Sequence, residues 1–153
     1  MPRTISTLDE LRSLVGQEVA LSPTLTVSQD MINRFAELTG DHQWIHVDVD
    51  RCKRESPFGT TIAHGYLTLS MLTYLVQQAV SITIPCKLTI NYGFNRVRFT
   101  SPVPAGSRIR ARMTLQSLKN VEGALELCWA IQVEVDGKEK PALVAEWLGR
   151  RYE

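Results

Sequence analysis

The sequence has little of what marks membrane, secreted and nucleic-acid-binding proteins. No apolar run is long enough to cross a bilayer, and the first residues, Met1 to Thr7, contain no apolar segment of signal-peptide length. Neither sign of charge is in excess, because 17 Lys and Arg residues face 16 Asp and Glu residues, for a net charge of +1. This balance provides no general attraction to nucleic acid or to an anionic membrane. We therefore expect neither as a partner.

Cysteine is also scarce. Cys52, Cys86 and Cys128 are odd in number and far apart, and no C-x-x-C pair is present. This spacing does not match a disulfide framework or a zinc site. We expect three reduced thiols, no bound metal and a cytoplasmic location.

The first half of the chain has clear helix boundaries. Its 153 residues, 44% hydrophobic and 22% charged, suit one folded domain covering residues 1–153. Thr7 to Glu10 has the spacing of a capping box, which predicts a short helix. Ser28 is a candidate N-cap for a second helix, which Gly40 would end. The next twenty residues are predicted to form a long loop with one helical turn after Asp50.

The second half predicts one helix and then a sheet. From Ile62 to about Val80 the chain is apolar on nearly every side, which is typical of a buried helix. An α+β fold is therefore expected, with a curved antiparallel sheet wrapped around this long buried central helix. A leftover edge strand would favour a homodimer. The strands are predicted from alternating apolar residues in Leu88–Phe99 (with a bulge near Gly93 to Arg96), Ile109–Leu115, Leu125–Val135 and Ala142–Leu148.

Chemistry-bearing residues concentrate between residues 35 and 70, which hold all three histidines. Asp41 and His46 are five residues apart, and on a helix they would point about 140° away from each other. A loop opened by Gly40 could instead bring both side chains onto one water molecule and move protons. The alternative is that Asp41 caps a turn and that His46 is an ordinary surface or core-edge histidine.

His64 and Gly65 stand where the central helix is predicted to begin. The first N–H groups of a helix are unpaired and carry partial positive charge, so the Gly65 amide could hold a carbonyl oxygen as it becomes negative. Gly65 could equally serve only for tight packing of the loop against the helix. His64, like His42, is expected to support the loop by hydrogen bonding rather than to perform chemistry.

Two segments together resemble a known family. Gly40-Asp41 with His46 and Asp48, followed by Phe58–Leu67 with its Ala-His-Gly core, resemble the MaoC-like hydratase/dehydratase family, the (R)-specific enoyl-CoA hydratases. Within this family the chain looks most similar to single-domain members of the nodulation protein N type. The resemblance covers roughly residues 25–118 and includes the strand before Phe99 and the turn at Pro102 to Gly106.

The resemblance implies a hot-dog fold, usually dimeric, and a hydro-lyase activity. Water would add reversibly to a trans-2-enoyl thioester of coenzyme A or an acyl carrier, giving a (3R)-hydroxyacyl thioester without a cofactor. Asp41 and His46 would be the catalytic pair, with Asp41 preferred as base and His46 as donor, and the Gly65 amide would bind the thioester carbonyl. Family members often carry a hydroxyl residue further into the helix, and both Ser70 and Thr73 are candidates.

One departure from the family pattern leaves alternatives open. The usual motif reads D-x-N-P-x-H, whereas Gln43 and Trp44 occupy the Asn-Pro positions here. This departure supports one competing hypothesis, a non-catalytic acyl-thioester binding protein. A hot-dog acyl-CoA thioesterase, in which a carboxylate activates water toward the carbonyl carbon, is a second. Arginines on the strands are candidates for carrier phosphates, although a solvated strand face is the preferred explanation for each one: Arg96, Arg98, Arg108, Arg110 and Arg112.

Overall fold

The computed structural model describes all of residues 1–153 and has an α+β architecture built on an antiparallel sheet. None of its helices is long and apolar enough to cross a membrane. The elements are β1 (Arg3–Ile5), α1 (Leu8–Ser13), β2 (Glu18–Leu21), β3 (Leu25–Thr26), α2 (Gln29–Thr39), α3 (Trp44–Val47), α4 (Val49–Glu55), α5 (Gly65–Ser70), α6 (Leu72–Gln77), β4 (Val80–Ile82), β5 (Leu88–Phe99), β6 (Arg108–Val121), β7 (Ala124–Val135) and β8 (Leu143–Tyr152).

The main sheet has the strand order β2-β6-β7-β8-β5, and β3 also pairs with β6. Alternate residues of β6 and β7 are buried because one face of the sheet covers the central helix. The short strands β1 and β4 form a separate parallel pair. One hydrophobic cluster contains residues from Ile5 to Trp147, so the first and last strands share the same core. The expected α+β class, with a sheet around a central helix, is confirmed.

The central helix is shorter than the apolar run that predicted it. It comprises α5 and α6, which are separated at Met71. Ile62 and Ala63 lie outside it in extended backbone, where the Ala63 amide donates to the Val103 carbonyl at 2.8 Å. At the other end Val80 pairs with Arg3 as part of β4. An apolar run cannot by itself distinguish a buried strand from a buried helix, which explains the wrong boundaries.

Caps on α2 determine where the following segment begins. The Ser28 hydroxyl accepts from the Met31 amide at 3.2 Å, and Gly40 ends the helix with a positive φ of 74°. Both ends are as predicted. The next segment is more helical than expected, because it contains α3 and α4 rather than a loop with one turn. Asp48 caps α4 by accepting from the Arg51 amide at 2.9 Å.

The strand β5 lies at a free edge of the sheet. Its register with β8 shifts between Asn91 and Gly93 and again between Phe94 and Arg96, as the change of phase predicted. Such irregularities bend a strand and increase its twist. The strand is exposed along nearly its whole length on both faces.

Candidate active site

Asp41 follows the left-handed residue that ends α2 and is exposed. Its carboxylate accepts from the Gln43 amide at 3.3 Å, which curls the chain back toward α3. Its backbone carbonyl accepts a hydrogen bond from Nε2 of His64 at 3.0 Å. His64 therefore anchors the segment that carries Asp41, as expected from the sequence.

His46 lies on α3 and is 7% exposed. Its Nδ1 is 2.7 Å from the carbonyl oxygen of Ile62, which can only accept, so Nδ1 carries a proton. Burial lowers the pKa of His46, and the charge of His64 lowers it further, against the opposing effects of the Ile62 hydrogen bond and Asp41. His46 is therefore neutral at neutral pH, and its Nε2 presents a lone pair.

The side chains of Asp41, His46 and His64 lie close together. Each offers one oxygen or nitrogen atom, and these atoms all lie within 4.8 Å of one another. Two hydrogen bonds of about 2.8 Å to a single water span such a gap. The loop thus does bring Asp41 and His46 together, as the five-residue spacing required.

The same three residues are poorly arranged to hold a metal ion. The rings of His46 and His64 stack with their centroids 3.9 Å apart and their planes 24° apart. Nitrogen lone pairs lie in the ring planes, so those of the two stacked rings lie in nearly parallel planes and are poorly placed to point at one ion. A tetrahedral or octahedral metal needs ligands that converge.

A cavity of about 370 Å³ opens beside His46. Gly65, the first residue of α5, lines it together with Thr68 and Phe99. A Cβ at Gly65 would lie only 2.9 Å from Cδ1 of Phe99, so this glycine does serve tight packing. The first N–H of a helix has no partner within that helix, and the Gly65 amide makes no backbone hydrogen bond.

The two hydroxyl residues named from the sequence are on the central helix but do not line the cavity beside His46. Ser70 is exposed and donates to the Tyr66 carbonyl at 2.7 Å, and Thr73 lines a different cavity of about 460 Å³. Thr68 is the helix hydroxyl residue that lines the cavity beside His46, and it is 3% exposed. Its place could have been found by counting one helical turn from Gly65.

Gln29 was missed by the sequence analysis. Its amide nitrogen donates to the His46 carbonyl at 2.8 Å, and its amide oxygen accepts from the buried hydroxyl of Thr61. Gln29 thereby ties α2, α3 and the chain before α5 together. Nothing in the sequence marks it, because these partners are 17 and 32 residues away.

The remaining candidates take no part in this cluster. His42 is half exposed, with Nδ1 3.7 Å from a carboxylate oxygen of Glu37. The three arginines of β6 are paired with carboxylates on the outer face of the sheet, so they match the solvated-face interpretation rather than a phosphate site. Their pairs are Arg108–Asp136, Arg110–Glu134, Arg112–Glu134 and Arg112–Glu18.

Comparisons with known proteins agree with this architecture. The family model described as "MaoC like domain" matches residues 10–135. The chain is 45% identical over 149 residues to 3-hydroxyacyl-thioester dehydratase Z of Mycobacterium tuberculosis, covering 97% of each chain. It is 44% identical over 142 residues to nodulation protein N of Rhizobium meliloti, covering 92% of this chain and 88% of the relative. The X-ray structure of a monoamine oxidase regulatory protein from Archaeoglobus fulgius matches with a TM-score of 0.76 and 25% identity, covering 100% of this chain and 99% of that one.

Proposed function

This chain belongs to the MaoC-like domain family, and we propose that it is a 3-hydroxyacyl-thioester dehydratase. It has the hot-dog fold of that family and acts as a hydro-lyase, adding water reversibly to a trans-2-enoyl thioester to give a (3R)-hydroxyacyl thioester. The observation that carries the proposal is the convergence of Asp41 and His46 on a gap that one water molecule would fill.

His46 is proposed as the group that exchanges a proton with this water. Its Nδ1–H is held by the Ile62 carbonyl, and its lowered pKa keeps Nε2 unprotonated, so Nε2 accepts a proton from water. This resting state favours His46 as the group that first accepts a proton. The sequence analysis preferred the reverse, with Asp41 as the base and His46 as the proton donor. The Asp41 carboxylate accepts a hydrogen bond from the second O–H of the water, and its charge stabilises the imidazolium that forms on His46.

Gly65 is proposed as the carbonyl-binding residue. As the water oxygen attacks C3, negative charge moves through C2 to the thioester oxygen, where the amide at the start of α5 stabilises it. The proton taken up by His46 then passes to C2. His46 returns to its neutral form, and water has been added without a metal or a redox cofactor.

The experiment that tests this proposal measures loss of the enoyl group and release of thiol from one substrate. Purified protein is mixed with crotonyl-CoA, and the enoyl absorbance and the free thiol are measured together. Loss of enoyl absorbance without thiol release supports hydration, and chiral analysis of the product should give the (3R) isomer. Thiol release would favour the thioesterase hypothesis, and thermal stabilisation by acyl-CoA without turnover would favour the binding protein.

A homodimer formed through the free edge of β5 is part of the proposal. Apolar side chains on this edge strand are exposed, including Leu88 at 50%, Ile90 at 46% and Tyr92 at 54%. An exposed apolar edge invites pairing with another strand. The exposed tyrosines of the central helix, Tyr66 and Tyr74, add further apolar surface.

Sedimentation or light scattering tests the dimer. The protein should have twice the mass of one chain, and Ile90→Lys should shift it toward the monomer, whereas Lys119→Ala on the β6 strand should not. A monomeric wild type would contradict the proposed dimer and would leave the proposed dehydratase mechanism unaffected. The cytoplasmic location and the single domain of residues 1–153 stay predictions from the sequence.

A further inference from the structure

A second cavity adjoins the one beside His46. It has a volume of about 510 Å³ and shares Phe58, Ser101 and Pro102 with the first cavity as lining residues. Its other wall is the turn between β7 and β8, residues 137–140. A ligand whose reacting end occupies the first cavity can therefore continue across this shared wall into the second.

The β7–β8 turn is fixed on both of its limbs, on the first to the start of β6 and on the second to the cavity wall. On the first limb the Asp136 carboxylate lies 2.6 Å from the Arg108 guanidinium. On the second limb the Ser101 hydroxyl donates to the Pro141 carbonyl at 2.8 Å, and the Thr100 hydroxyl donates to the same carbonyl. The turn is thus held against the residues that follow β5, and residues 137–140 of it line the second cavity.

The turn places three charged residues in the cavity lining, the cations Lys138 and Lys140 and the anion Glu139. Both lysines are exposed, and no carboxylate lies within 4.0 Å of either ammonium group. Glu139 lies between them and offsets one of the two charges. The arginines of β6, by contrast, are already neutralised on the outer face.

We propose that Lys138 and Lys140 bind the phosphate of the pantetheine carrier while the acyl thioester occupies the cavity beside His46. This inference rests on the proposed function, because it takes the thioester to lie against His46 and Gly65. A pantetheine arm is neutral and flexible, so its apolar and amide parts suit the wall formed by Phe58 and Pro102. Ammonium groups are common phosphate partners, acting as point charges.

The test compares three carriers on two double variants. Lys138→Ala/Lys140→Ala is assayed against the control Lys87→Ala/Lys119→Ala, which removes the same charge from exposed positions outside both cavities. The substrates are crotonyl-CoA, crotonyl-phosphopantetheine and crotonyl-pantetheine, which has no phosphate. For the first variant we expect KM for crotonyl-CoA to rise about tenfold, with kcat unchanged and with crotonyl-pantetheine unaffected.

The assay with crotonyl-phosphopantetheine identifies which phosphate the lysines bind. A similar rise with this substrate assigns the lysines to the phosphate that coenzyme A shares with acyl carrier proteins, and a rise with crotonyl-CoA alone assigns them to the nucleotide phosphates. An unchanged KM for crotonyl-CoA overturns the inference, as does an equal rise for crotonyl-pantetheine. Either result leaves the dehydratase proposal standing if the wild type hydrates its substrate.

Calorimetric titration of wild type and variant with free coenzyme A keeps the two proposals separate. Binding of coenzyme A that weakens about tenfold on loss of both lysines supports the phosphate site, whether or not the wild type shows turnover. Absence of turnover in the wild type would contradict the dehydratase proposal only. Binding that is the same in both proteins counts against the phosphate site.

Discussion

The imidazole rings of His46 and His64 stack with centroids 3.9 Å apart, and each ring donates to a different backbone carbonyl. His46 donates to Ile62, which precedes α5, and His64 donates to Asp41, which follows α2. The two segments are therefore cross-linked through a pair of aromatic rings. Because the rings are in contact, charge on one opposes charge on the other, which contributes to the lowered pKa of His46.

His64→Phe tests this stack, since it keeps an aromatic ring and removes both nitrogens. We expect the pKa of His46 to rise, because the charge of His64 that lowers it is gone. We also expect kcat to fall about tenfold, because the Asp41 carbonyl loses its donor. NMR titration of the His46 ring protons and steady-state kinetics measure the two effects. His42→Phe, at a half-exposed histidine, is the control, and unchanged values in both assays would contradict the role given to His64.

Gly65→Ala tests the close packing at the start of α5. The new Cβ would lie 2.9 Å from Phe99, so the ring or the helix start must move and the cavity must change shape. We expect a loss of at least about tenfold in kcat/KM, with partial recovery when Phe99→Leu is added. Gly149→Ala on β8 is the matched control, because its Cβ position meets only one atom within 4 Å, at the ordinary contact distance of 4.0 Å. Wild-type kinetics for Gly65→Ala would show that this contact does not shape the site.

Trp44→Pro restores the residue that the family pattern has at this position. Trp44 is the first residue of α3, where a missing N–H breaks no helical hydrogen bond and proline is well tolerated. The ring of Trp44 lies 4.2 Å from the Arg51 guanidinium, and losing this half-buried contact costs about 1 kcal/mol. We expect activity near that of the wild type with slightly lower stability in urea unfolding. A collapse of activity would mean that Gln43 and Trp44 define a loop geometry of their own.

The lowered pKa of His46 also predicts how stability depends on pH. In the unfolded chain this histidine takes up a proton near pH 6.5, whereas in the folded protein it does so only at lower pH. The unfolded state therefore binds more protons below about pH 6.5, and the free energy of unfolding falls as the pH falls through this range. Urea unfolding at about pH 7.5 and about pH 5.5 should show a smaller loss in His46→Gln than in the wild type. Equal losses would contradict the assignment.

Features set by neighbouring residues could be predicted from the sequence. The caps at Ser28 and Gly40 act within a few residues, so the end of α2 and the position of Asp41 were predictable. The alternation in β6 and β7 likewise predicted which residues face the core, because side chains of a strand alternate between its faces.

Features that depend on contacts between distant parts of the chain could not be predicted from the sequence. The role of Gln29 depends on partners 17 and 32 residues away, and the pairing of Arg110 with Glu134 depends on the register of β6 against β7. The ends of the central helix depend on the pairing of Ala63 with Val103, which a local apolar pattern does not reveal. The packing of Phe99 on Gly65 belongs to the same class.

The most direct measurement is the hydration of crotonyl-CoA by purified wild type, Asp41→Asn and His46→Gln, each checked for folding by circular dichroism. General acid–base catalysis is commonly worth about 10²–10⁴-fold, so each variant should fold normally and lose at least about a hundredfold in kcat. Near-wild-type turnover in either folded variant would remove that residue from the mechanism and contradict the proposal that Asp41 and His46 share one water molecule.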